Sequence, residues 1–560
     1  MTELEEALTA LERGDETTSI KLLKSMIESN PKHAEAWSFY GIVLLKKNQP
    51  EAIEALKKAC DIAPLESRWH LHLGRCLNQV KDFAGAKTAL QRAAELSHYA
   101  PDAALALTKA LIQLGELNEA LNVIQISAAR YDSPQVHHKH AQISAALHDY
   151  TTAISAIKTA YRNANMSEAD SLLLAKWHIH VKDFTAAQNL VDKVLAIRKN
   201  DPKATILAAN LASWKGDFDR ARNLIKKALI SHPKHIDLIV EQLLLSTSTD
   251  ADTYHFASEI VNQPGTSSDS RIKLLFALAQ TADRHGDYEL AWDYATTANR
   301  LAKNGSTFDI NSLYKQLEHA LTIYQKSRPL DSSEDVQQIY FLGPPRCGGS
   351  LIQTLLAAAP GVASVGERGA LLPWLMPMLV GHDGIDVFNK SQHQLQQADI
   401  AGLRALAPSA SVYVDKTTHN LHLAGLLQRI HPSAKFVHIE RNKKDMALSI
   451  YMRNFSNTFT YSYEIDDINR YLDFQTYAVK KWQELGLPIL THNHDDFVKA
   501  PESHGKALFT DLGLSWNNSY LGVEARSASV ETFSSMQVRN EIKPPPQPKW
   551  KPYAKYLASI

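Results

Sequence analysis

Between Phe341 and Gly369 the chain reads FLGPPRCGGSLIQTLLAAAPGVASVGERG. An apolar strand entering a glycine-rich turn and then a helix aims several backbone N–H groups and the positive end of the helix dipole at one point, which suits an anion. Arg346 is the cation of this turn. Pro345, Cys347, Gly348 and Gly349 supply its backbone, and Ser350 supplies a hydroxyl at the helix start. The lysine of the G-x-x-x-x-G-K-[ST] loop is missing, which argues against ordinary ATP hydrolysis. A glycine turn with an exposed arginine explains the same residues, so other parts of the chain must decide.

Four further segments do so. PPRCGGS resembles the PRSGTT loop of sulfotransferases, which binds the 5′-phosphosulfate end of 3′-phosphoadenosine 5′-phosphosulfate, and AAAPGVASVGE is similar to the family segment that ends in Gly-Glu. The resemblance puts Glu367 where tyrosylprotein sulfotransferases carry their catalytic glutamate. VYVDKTTHN resembles the family's Asp-Lys motif, with Lys416 at the position of the catalytic lysine. KFVHIERNKKDMALSIY is similar to the strand and helix that hold the 3′-phosphate, through Arg441 and Ser449. FSSMQVRNEIKPPPQPKW resembles the closing stretch, in which Ser534 and Lys549 approach the sulfate–phosphate bridge and the nucleotide. The resemblance spans about residues 336 to 560, with its motifs in family order.

It implies sulfuryl transfer from that nucleotide to an acceptor hydroxyl, leaving adenosine 3′,5′-bisphosphate. The roles implied are Glu367 as general base, Arg346 and Lys416 as neutralisers of charge on the transferring group and leaving oxygen, and Ser534 as their aid. The loop departs from the family in Cys347 and Gly349, which remove two hydroxyls, and HDDF places His494 where the family often has tyrosine. A peptide or protein tyrosine is the expected acceptor. A carbohydrate or small-molecule hydroxyl, and an interaction scaffold with a degenerate transferase domain, are the alternatives.

Other reactive-looking residues read as structural. His419 in KTTHN is expected to be a capping or structural histidine, and Cys347 has no histidine partner that would make it a nucleophile. His492, His494, Asp495 and Asp496 are nearly contiguous and are expected to cap a turn, while His137, His138 and His140 in VHHKH are expected on a solvated helix face. No metal is expected.

The elements that carry this chemistry follow a repeat. An aromatic or apolar residue with alanine three positions on recurs at Ala86, Ala120, Ala153, Ala187 and Ala221, in steps of 34, 33, 34 and 34 residues. Ala52 and Ala291 extend the series, with Ala257 a poor intermediate copy. A second small residue seven positions later (Ala59, Ala93, Ala160, Ala228, Ala298) lets neighbouring helices approach closely. The unit from Ala34 to Pro64, with Trp37, Tyr40, Gly41, Leu44, Ala52 and Ala59, resembles a tetratricopeptide repeat. Such repeats stack into a superhelix whose concave face usually holds a peptide or partner segment, although a spacer or oligomerisation arm is also open.

The expected organisation is multidomain: an all-α superhelical tetratricopeptide solenoid over residues 1–303, then a capping helix and linker over 304–335. A P-loop-like α/β three-layer domain with a parallel sheet follows over 336–560. At 560 residues more than one core is required. Acidic and basic residues balance at 60 each, so no global field draws nucleic acid. The three cysteines offer no disulfide framework. The acidic, amphipathic N-terminus is unlike a signal peptide, and no run of about 18 apolar residues follows. A cytoplasmic protein without a membrane span is expected, of unspecified oligomeric state.

Overall fold

The computed structural model describes residues 2–45, 48–246, 251–330, 336–381, 384–455, 459–526 and 539–560. The chain separates into two compact units, Met1–Ser167 and Glu168–Ile560, so the change of motif near residue 303 lies inside the second.

The first unit holds α1 (Glu3–Glu12), α2 (Glu16–Ser29), α3 (Ala34–Leu44), α4 (Gln49–Ile62), α5 (Ser67–Gln79), α6 (Phe83–Leu96), α7 (Pro101–Gln113), α8 (Leu117–Arg130), α9 (Pro134–Ala146) and α10 (Tyr150–Ala160). The second opens with α11 (Glu168–His180), α12 (Phe184–Ile197), α13 (Pro202–Trp214), α14 (Phe218–Ser231), α15 (Ile236–Leu245), α16 (Ala251–Ile260), α17 (Ser268–His285) and α18 (Tyr288–Lys303). One device makes the turn within most pairs. A residue with positive φ (Lys81, His148, Lys182, Gly216, Gly286) reverses the chain, and the aspartate after it caps the next helix by accepting from a backbone N–H of the first turn. The recurrent alanines Ala86, Ala120, Ala153, Ala187, Ala221 and Ala291 are fully buried at the contacts between helices.

The helix α19 (Ile310–Lys326), expected as a capping helix after the last repeat, has its main packing partners in the sheet domain. It packs on α23 (Asn420–Ile430) and α25 (Ile465–Glu484), with Tyr324 Oη donating to Gln428 and Tyr314 set edge-on to Phe474 at 5.1 Å. An amphipathic helix looks the same in sequence whichever neighbour covers its apolar face, and here the sheet domain covers it.

The sheet is parallel throughout, in the order β2 (Val362–Gly366), β3 (Val412–Asp415), β1 (Gln337–Leu342), β4 (Lys435–Glu440), β5 (Ile489–Asn493). Apolar β1, buried from Gln338 onward, lies at its centre, as a strand covered on both faces must. The remaining helices are α20 (Gly349–Leu356), the short α21 (Leu372–Leu375), α22 (Gly384–Leu406), α24 (Lys443–Tyr451), α26 (His494–Lys499) and α27 (Pro501–Asp511). Because the chain turns from β1 outward to either side, ligands are expected at the carboxyl end of β1, where the strand order reverses.

The histidines of α9 are half-buried, not solvated: His138 meets Tyr161 edge-on, and burial pulls the His140 imidazole below its ordinary value. No described helix is long and apolar enough to cross a membrane.

Candidate active site

Each of the five strands delivers one polar residue just past its carboxyl end: Arg346 after β1, Glu367 after β2, Lys416 after β3, Arg441 after β4 and His494 after β5. Parallel strands all end on the same edge, so residues distant in sequence converge there.

The turn after β1 is tight. Gly348 caps α20 at φ 109°, and a Cβ there would lie 2.3 Å from His494 Nδ1, so glycine is required twice over. Gly349 has ordinary room for a side chain. Cys347 is buried with its thiol toward Gly343, and burial pushes the thiol up, so the residue offers the site its backbone and not a nucleophile. Arg346 sits at φ 72°, a backbone region costly for a side-chain-bearing residue.

The side chains expected to hold the nucleotide's two ends meet. Arg346 Nε donates to Ser449 Oγ at 2.8 Å, and an Arg441 terminal nitrogen donates to the Arg346 carbonyl at 2.9 Å. Lys549 belongs to the same cluster, since the charges of Arg441 and Arg346 join burial in pulling its ammonium below the ordinary value. Trp550, next in the chain, is anchored by its backbone N–H donating to Asp445 Oδ1 at 3.0 Å. Arg346 is pushed down to about 9 by burial and then by Arg453 and Arg441. Arg453, which the sequence reading missed, is pushed down to about 10 by burial and by Arg284 of α17. No local pattern marked it, because it lies two residues past the end of α24 and joins the cluster only through the fold. Cations crowded until they repel one another raise the free energy of the ligand-free site and favour a polyanion in it. Arg441 Nε and Trp550 Nε1 are buried without a hydrogen-bond partner, as donors awaiting an acceptor would be.

At the other side of the turn, Glu367 and Lys416 form an ion pair. Their strands are locked by Lys416 N donating to the Gly366 carbonyl at 2.9 Å, and Gly369 N donating to Thr417 Oγ1 at 3.1 Å. Arg368 turns the opposite way, to buried Asp399, which the Arg368 guanidinium and His431 hold well below the usual carboxylate range against its burial. That inward anchor leaves Glu367 facing out, its side chain 55% exposed. Lys416 lies close enough to the turn for its charge to act on Cys347.

His419 occupies the residue before α23 but makes no capping bond. Its ring stacks on Phe459, and it is near enough to Glu367 to feel that charge. The turn into α26 is capped by Asn493, which accepts from the N–H groups of Asp495 and Asp496, and not by the acids or histidines. Burial, with Arg441 and His492, pushes the His494 imidazole down to about 3, so it meets the glycine turn uncharged. Ser534 lies outside the described residues.

The repeats also reach this edge. A Cβ on Gly366 would lie 3.5 Å from Lys182 Nζ, in the turn between α11 and α12, and Arg539 donates to the Trp214 carbonyl at the end of α13. Lys182 and Gly216 stand at the same place in units 34 residues apart, each the left-handed residue before a capping aspartate. The repeat period could have shown their equivalence, but not what they touch.

Comparison with known proteins agrees with both halves of this description. Residues 338–518 match the sulfotransferase family, and residues 4–67, 77–143 and 178–240 match tetratricopeptide repeat families. An uncharacterized protein of Aquifex aeolicus (strain VF5) is 24% identical over 62% of this chain and 48% of its own length. The BBSome complex member BBS4 of Bos taurus is 25% identical over 42% of this chain and 45% of its own. The chain thus spans about half the length of the curated relatives it matches. Among solved structures, Pseudomonas aeruginosa pilF aligns with a TM-score of 0.31 at 17% identity, over 36% of this chain and 93% of its own. The chain therefore carries a tetratricopeptide array and a sulfotransferase-family domain.

Proposed function

We propose that the sheet domain transfers a sulfuryl group from 3′-phosphoadenosine 5′-phosphosulfate to an acceptor hydroxyl, with tyrosine of a peptide or protein as the acceptor. The observation that carries this reading is the meeting of Arg346, Arg441, Ser449 and Lys549 in one cationic cluster, on the same edge of the sheet as a Glu–Lys pair. The backbone N–H groups of the glycine turn with Ser350 would hold the 5′-phosphate, and Arg441, Ser449 and Arg453 the 3′-phosphate. When bound, the nucleotide supplies an activated sulfuryl group. Glu367 takes the proton from the acceptor hydroxyl, and Lys416 neutralises the oxygen that departs, which leaves positioning and charge as the protein's share of the work. The Glu–Lys pair resembles that of tyrosylprotein sulfotransferases, and the ring of His419 near Glu367, with Phe459 stacked on it, suits a flat phenol better than a sugar. The repeat array is the natural holder of an extended acceptor chain.

Glu367→Gln keeps shape but cannot take the proton. It is expected to cut transfer of radiolabelled sulfate into lysate proteins by about 10²-fold or more, with adenosine 3′,5′-bisphosphate still raising the melting temperature. Undiminished transfer overturns the assignment. The altered turn, with Cys347 and Gly349, favours a second reading as a scaffold. In that case the bisphosphate leaves the melting temperature of the unmodified chain unchanged and no label is transferred.

A further inference from the structure

We propose that the last helix pair of the array, α17–α18, is a wall of the nucleotide site, and that Asp283 is the resident counter-charge of the cations that grip the nucleotide. The inference rests on the nucleotide reading given above.

Five contacts tie this pair to the segments that carry the residues expected to hold the nucleotide. Tyr553, four residues after Lys549, donates its hydroxyl to Asp283 Oδ1 at 2.6 Å. Asn299 donates to the carbonyl of Tyr451 at 2.9 Å, and the Tyr451 hydroxyl bonds Thr296 Oγ1 at 3.1 Å, so α18 fixes the backbone midway between Ser449 and Arg453. Trp292 stacks on Tyr451 at 4.7 Å and on Tyr556 at 4.4 Å, which joins the end of α24 to the closing segment of the chain. A spacer would need only apolar packing at such a joint. This pair instead adds charge to the cluster. Arg284 is pinned to the Leu243 carbonyl and the Thr281 hydroxyl, with its guanidinium near that of Arg453. The carboxylate of Asp283 acts favourably on Lys549, Arg453 and Arg284 alike.

The sign of the effect follows from charge. In the ligand-free chain Asp283 offsets repulsion among the cations. Once nucleotide phosphates supply that offset, the same carboxylate repels them. Asp283 therefore trades nucleotide affinity for stability of the empty site, and through it the array takes part in setting the affinity of the transferase.

The test is calorimetric titration of adenosine 3′,5′-bisphosphate into the full chain, with melting temperatures measured with and without the ligand. Asp283→Asn is expected to bind about fivefold more tightly and to melt lower than the parent without ligand, with the gap closing at saturation. Asp283→Glu, which keeps the charge, and Tyr553→Phe, which loses only the hydrogen bond, are expected to stay within about twofold of the parent. Equal or weaker binding by Asp283→Asn overturns the inference, as does a Tyr553→Phe variant that behaves like Asp283→Asn. So does an Asp283→Asn chain that fails to fold even with ligand present, whereas one that folds only with ligand supports it. A parent chain that binds no bisphosphate sinks the nucleotide reading itself, and this inference with it.

Discussion

At Gly348 two requirements meet in one residue: a left-handed backbone and a histidine ring where a Cβ would go. Gly348→Ala is therefore expected to reduce bisphosphate binding by about tenfold or more, since the ring or the turn must move and each unit of 1.4 kcal/mol is a decade of affinity. Gly349→Ala, one residue on, meets only ordinary contacts and is expected to bind within about twofold of the parent. Titration of both variants checks the pair, and equal losses would show that the turn is not held as described. A buried histidine gives a second test at this scale. His422 lies in the core beside Phe474, both ring nitrogens lack partners, and burial, with a smaller push from His419, drives it down to about 3. Between that value and the ordinary histidine value of about 6.5, the unfolded chain binds a proton that the folded chain refuses. Stability then falls as pH falls through this window, by about 2 kcal/mol at pH 5 for one such group. His422→Leu is expected to remove that slope, so its advantage over the parent in denaturant midpoint should grow from pH 7.5 to pH 5. A constant difference would mean that the ring is protonated or solvated in the fold.

Among the elements, the repeat turns and the strand ends were open to sequence reasoning for different reasons. A turn that needs a left-handed residue and then a capping aspartate leaves a local signature, and so does a glycine-rich turn between strand and helix. Arg346 stood out because it sits in such a glycine-rich turn, whereas Glu367, Lys416, Arg441 and Ser449 were expected only from the resemblance of their segments to sulfotransferase motifs. Lys182, Asp283 and Arg284 were not legible, because their role depends on contacts made across more than a hundred residues of chain. The packing of α19 on the sheet domain was not legible for the same reason: amphipathicity reports that a face is buried, not what buries it. The turn device itself can be tested. Asp217 accepts from the Arg220 N–H at 3.0 Å at the start of α14, and Asp217→Ala is expected to cost about 1 kcal/mol. Faster hydrogen exchange confined to the first turn of α14 would show it, while loss spread over the whole unit would point to a different role.

Viewed as a whole, the chain does not divide where its motifs change. The second compact unit begins at Glu168 and carries its own repeats fused to the sheet domain. A chain of residues 168–560 is expected to fold and to bind the bisphosphate within about twofold of the full protein. One starting at residue 304 loses the Asn299, Thr296, Trp292 and Asp283 contacts and exposes Tyr451, Tyr553 and Tyr556, so it is expected to aggregate or to bind at least about tenfold more weakly. Size-exclusion chromatography and titration of the two chains decide this, and a well-behaved, fully binding short chain would make the array dispensable to the site. The stacking of Trp292 on rings from the Ser449 helix and from the chain's closing segment has one more use. The indole lies where any shift of that helix on nucleotide capture must alter its surroundings, so its emission can serve as a built-in optical gauge of occupancy. Spectra of the parent minus those of a Trp292→Phe chain would isolate this reporter from the protein's other eight tryptophans.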